Sequence, residues 1–133
     1  MNFTASDIID SYSRAQAIED GVLVDVTATA REAGIKYPTA ITRAAYEKYV
    51  AWTAEDNERK GALQDESGRL WDVLSMLRFA ALRSGGGSRL DYTLYVVPRE
   101  GPSVTAALVQ LKSICGPGDT AAPVLTVMLP EED

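Results

Sequence analysis

The order of patterns along this chain predicts an α+β fold: N-terminal helices packed on one face of a small C-terminal antiparallel sheet. Two observations carry that expectation. A helical apolar period dominates Ser67–Arg83, where Leu70, Val73, Leu74, Leu77 and Ala81 fall on one stripe. After Asp91 the period changes to two, as in half-buried strands. At 133 residues with no linker-like stretch, residues 1–133 read as a single domain.

Taken in order, residues 1–12 contain Asp7, Asp10 and Tyr12 and read as either a turn of helix or an extended arm. Ser13 and Gln16 have capping-box spacing and open a short helix, Ala15–Asp20, that Gly21 closes. Val22–Val26 has strand composition and is the candidate for a short fourth strand. Thr27 caps a second short helix, Ala28–Ala33, ended by Gly34. After Pro38 a third helix is expected over Ile41–Trp52, with Ile41, Ala45, Tyr49 and Trp52 on one stripe. Ala54–Lys60 is almost wholly polar and reads as a solvated helix end or a loop. Ser67 is the expected cap of the long helix, and the Ser84–Ser88 run of glycines its stop. Asp91–Val97, Val104–Cys115 and Val124–Leu129 then alternate between turn sequences, which predicts a three-stranded antiparallel meander.

Composition excludes several chemistries. The chain has no histidine, which removes Ser-His-Asp and Cys-His catalysis and imidazole metal ligands. A single cysteine, Cys115, forms no internal disulfide and suits a reducing cytoplasm. No apolar run has the length of a membrane span, and the first residues lack a secretory signal pattern. A cytoplasmic protein without cofactor or metal is the expectation.

The net charge is −6, and it is uneven. Residues 1–72 carry 13 acidic and 8 basic side chains, whereas residues 73–133 carry 6 and 5. Glu19, Asp20 and Asp25, with Glu55, Asp56 and Glu58, are therefore the candidate partner-binding residues. An acidic surface repels nucleic acid and is drawn to the basic grooves that bind it. The plainer reading is a solvated, solubilising face.

Other constellations read as structural. The Ser84–Ser88 run follows a helix and lacks a Gly-Lys-Ser/Thr ending, so it is a flexible turn rather than a phosphate loop. Gly116–Asp119 is turn chemistry, with only one carboxylate to offer a cation. Asp65, Glu66 and Asp72 can be paired carboxylates of an enzyme, working with Arg69 or Arg31. The first two also suit the start of a helix, where the macrodipole favours negative charge.

Ser13–Val26, Ala30–Gly34, Gly68–Val73, Gly116–Asp119 and Val127–Pro130 together resemble a family of small bacterial proteins of unknown function met on plasmids, phages and integrative elements. The resemblance carries no catalytic residue. It implies a setting in mobile DNA, where small acidic proteins often inhibit host defence, anti-CRISPR proteins among them. The expected function is accordingly a non-enzymatic inhibitor whose partner is a basic nucleic-acid-binding protein or effector complex, with no direct contact to nucleic acid or membrane, acting as monomer or homodimer. A small histidine-independent enzyme and a self-associating structural protein are the alternatives.

Overall fold

The computed structural model describes residues 12–133. The expectation for residues 1–11 lies outside that range. Along the described chain the elements are α1 (Arg14–Glu19), β1 (Leu23–Asp25), α2 (Thr27–Glu32), β2 (Thr39–Thr42), α3 (Arg43–Tyr49), α4 (Ala54–Lys60), α5 (Glu66–Ser84), β3 (Arg89–Val96), β4 (Ala107–Pro117) and β5 (Pro123–Met128). No described helix is long and apolar enough to cross a membrane.

The class is α+β, but the sheet is larger than a meander. It has five strands in the order β1-β2-β5-β4-β3. The expected antiparallel meander is present as β3-β4-β5, with Tyr92 opposite Leu111 and Ser113 opposite Val127. β2 then adds in parallel to β5, pairing Ile41 with Val127, and β1 adds antiparallel to β2, pairing Val24 with Ile41. The sheet is thus mixed. Ile41 sits in a strand rather than at the start of a helix, which corrects the expected Ile41–Trp52 element. Thr42 makes the break: its hydroxyl accepts from the Ala45 N–H, so α3 starts only after it.

Strand alternation sorts the side chains. Val24, Ile41, Val127, Ser113 and Leu90 form one row across all five strands. Leu111, Tyr92 and Leu94 lie on the same face, and the long helix α5 covers it with Val73, Leu74 and Leu77. Leu74 is fully buried, and truncating such a side chain costs about 2–5 kcal/mol. Tyr92 donates its Oη–H to the Val73 carbonyl at 3.1 Å, tying helix to sheet.

The other face is not bare. Arg14 of α1 donates to Thr126 Oγ1 and to the Leu125 carbonyl, both at 2.7 Å, so α1 lies over the outward side of β5. Helices therefore occupy both faces, which corrects the expected one-sided packing. Lys112 on that outer face is buried because its Nζ donates to the Glu132 carbonyl.

Two caps differ from expectation. Asp65, not Ser67, caps α5 by accepting from the Gly68 N–H. Thr27 lies inside the first turn of α2 rather than before it; its hydroxyl donates to Asp25 and accepts from the Thr39 N–H. The polar Ala54–Lys60 stretch is a helix of its own, opened by a capping box between Thr53 and Asp56 and closed at Gly61 with φ +66°.

Candidate docking surface

The six acidic candidates fall into two groups with different local roles. Glu19 ends α1, Asp20 is its C-cap, and Asp25 ends β1; all three are exposed. Asp20 accepts from Tyr12 Oη and Gln16 Nε2, both at 2.9 Å. Asp25 accepts from the N–H and hydroxyl of Thr27 through one oxygen, Oδ1, leaving the other oxygen out of that turn. Glu55 and Glu58 are exposed on α4.

Asp56 is different. It is only 6% exposed. One carboxylate oxygen accepts from the Thr53 N–H and from Arg99 Nε, both at 2.8–2.9 Å, and the other from Arg59 Nη2 at 2.9 Å. The Arg59 hydrogen bond, followed by the Thr53 and Arg99 bonds acting against partial burial, holds its pKa well below the ordinary carboxylate range. Its charge is spent inside the molecule, so it organises the surface without presenting a contact.

Between the two groups runs a ladder of alternating charge. Arg43 donates its Nε–H to the Gly21 carbonyl at 2.9 Å and pairs with Glu47 at 3.1 Å. Glu47 reaches Arg99 at 3.6 Å, Arg99 reaches Asp56, and Asp56 reaches Arg59. The ladder links the turn after α1 to α4. It also breaks what the sequence read as one acidic field: arginines stand between the carboxylates. Arg99 lies in the loop after β3, and its reach back to α4 has no signature in local spacing.

Two residues of the enzyme alternative, Asp65 and Arg69, have structural uses. Asp65 caps a helix. Arg69 is 4% exposed, donates to the Val50 carbonyl at 3.1 Å and the Val97 carbonyl at 2.9 Å, and burial pulls its pKa down. Burial, reinforced by the hydrogen bond to Glu66, pushes the Tyr46 hydroxyl up to about 12.

A cleft of about 630 Å³ opens between α1 and the outer face of the sheet, with Arg14, Arg43, Asp119 and Glu132 in its walls. Asp119 accepts from the Ala15 N–H at 3.0 Å and the Arg14 N–H at 2.7 Å. Those two backbone bonds lower its pKa, so it is held as an anion rather than poised as an acid. Glu132 is likewise occupied, accepting from Thr42 Oγ1 and the Leu129 N–H. Sequence reading took Asp119 for a turn residue, whereas its carboxylate anchors the start of α1 from over a hundred residues away.

The fold and surface define a small α+β protein with a mixed five-stranded sheet and a charge-laddered flank. The chain belongs to the Family of unknown function (DUF6573), whose model matches residues 1–133. Neither the curated proteins nor the solved structures offered a match.

Proposed function

We propose that this protein is a non-enzymatic, cytoplasmic binding protein that inhibits a host nucleic-acid-handling defence complex, of the CRISPR-effector kind, by occupying its basic groove. One observation carries the reading. Glu19 and Asp20 crowd the C-terminal end of α1, where the helix dipole disfavours negative charge. Asp20 offsets that cost with its bonds to Gln16 and Tyr12, but exposed Glu19 makes no side-chain hydrogen bond among the described residues, which favours a role in contact. Asp25 follows on the adjoining strand, and Glu55 and Glu58 extend the acidic set on α4. The mobile-element setting suggested by the sequence resemblance supplies the choice of target.

The contact set is Glu19, Asp20, Asp25, Glu55 and Glu58, with Asp56 holding α4 in place. The test is a gel shift and cleavage assay with a guide-loaded CRISPR effector and its target duplex. Saturating protein is expected to suppress both target binding and cleavage, and to lose that effect as salt rises. Replacing the exposed Glu19, Glu55 and Glu58 together by Lys is expected to abolish inhibition while leaving the thermal transition in place. Target binding and cleavage unchanged at saturation would refute the reading.

A further inference from the structure

We propose that two copies of this chain associate through the open edge of β3 and the adjoining flank of α5, in an antiparallel, two-fold arrangement. The two edges of the sheet are treated differently. β1 is only three residues long, and α1 packs against it. β3 is eight residues long, contains no proline, and ends the sheet with no described element beyond it.

Among the described residues, the outward backbone groups at this edge have no hydrogen-bond partner. Cys115 donates its N–H to the Ser88 carbonyl at 2.7 Å, and Arg89 stands opposite Ile114. That phase turns the N–H and C=O groups of Leu90, Tyr92 and Leu94 toward β4. It turns those of Arg89, Asp91, Thr93 and Tyr95 out of the sheet. A second β3 paired antiparallel and centred on Tyr92 receives all of these groups. It sets Asp91 opposite Thr93 of the other copy, so no like charges meet, and Arg89 opposite Tyr95, where a cation lies well against an aromatic ring.

The helix above has the same symmetry. Asp72, Met76, Phe79 and Arg83 fall on one stripe of α5 by their spacing. Asp72 and Met76 line a shallow hollow with Thr93, Leu94 and Tyr95, while Ala80 and Arg83 line a second with Asp91, Tyr92 and Thr93. Thr93 borders both hollows, so the centre of the stripe lies over the Tyr92–Thr93 region, close to the middle of β3. One two-fold axis therefore serves strand and helix together. Across it Met76 meets Phe79 of the other copy, and Asp72 meets Arg83, twice over. The stripe is complementary to itself in both charge and apolarity, which is what an isologous interface requires. It also accounts for a half-exposed Phe79 (53%) and for Tyr95 at 68%, on the strand that ends the sheet.

The test is light scattering coupled to size-exclusion chromatography on the full chain at about 100 µM, where mass action favours association. The expected mass is twice the 14.4 kDa of one chain. Arg83→Asp is expected to halve it, and Asp72→Arg combined with Arg83→Asp to restore it, because the swap rebuilds both ion pairs. Met76→Lys, on the half-buried outer stripe, is expected to give a folded monomer by circular dichroism. A wild-type monomer at this concentration overturns the proposal. So does a dimer that persists in both Arg83→Asp and Met76→Lys.

Discussion

Arg69 stacks its guanidinium 4.6 Å from the centre of the Trp52 ring, and from that position its donors reach two loops at once. Nε–H goes to the Val50 carbonyl after α3, and Nη1–H to the Val97 carbonyl after β3. A fork of planar donors can do this; a single ammonium cannot. Arg69→Ala should orphan both carbonyls, at about 1–3 kcal/mol each where water cannot reach. Arg69→Lys should recover less than half of the loss. Urea unfolding monitored by Trp52 fluorescence measures both.

Asp56 makes stability depend on acid. Its folded pKa lies below the ordinary value of 3.8. Its contribution is therefore complete above 3.8 and is lost as pH falls through the depressed folded value. Unfolding curves taken from pH 6 downward should show a steep decline in the wild type. Asp56→Asn should be less stable at pH 6 and should decline less steeply in acid. Thr53→Ala removes the partner of the capping box and should cost about 1 kcal/mol across that range. An unchanged acid slope in Asp56→Asn would show that other carboxylates govern it.

The alkaline side belongs to Tyr92. Burial raises the pKa of its hydroxyl far above 10.0. The buried phenol keeps its proton where the unfolded one loses it, so its contribution is full below pH 10.0 and fades as pH rises above that value. Tyr92→Phe should flatten this decline while costing about 1 kcal/mol at neutral pH for the lost bond to Val73. Tyr46, raised to about 12, should account for a remaining slope. Denaturation midpoints between pH 8 and 11 separate the two tyrosines.

The long helix and the meander were legible because each carries its own period: α5 repeats its apolar residues over many turns, and β3 and β4 alternate. β2 was not legible. Thr39–Thr42 is too short to show a period, and its parallel partner β5 lies more than eighty residues away. Ile41 also happens to sit at helical spacing from Ala45, so a chance match absorbed a strand residue into a helix. The α4 helix was legible in principle. Thr53 and Asp56 have capping-box spacing and Gly61 is a helix stop, but the lack of apolar residues between them drew attention to charge instead. Asp56 shares the charge of its neighbours but is committed to the capping box and to Arg59 and Arg99. Capping chemistry distinguishes it from Glu58 and from Glu55, which the helix dipole favours in the first turn but which makes no capping bond.

Gly34 and Arg78 offer a test of packing that no single substitution resolves. Gly34 has φ +94°, a conformation costly for any residue with a Cβ. A Cβ there would stand 1.7 Å from Arg78 Nη1, the same nitrogen that donates to the Gly34 carbonyl at 2.6 Å. Gly34→Ala therefore carries two costs: about 1–2 kcal/mol of backbone strain and the expulsion of Arg78 from its carbonyl, worth about 1 kcal/mol. In an Arg78→Ala background the second cost is already incurred, and only the strain should remain. A double-mutant cycle by urea denaturation should thus show sub-additive losses, with a coupling of about 1 kcal/mol. Strict additivity would mean that Arg78 yields to the new methyl without losing its bond, and that the close approach at Gly34 does not hold α2 against α5.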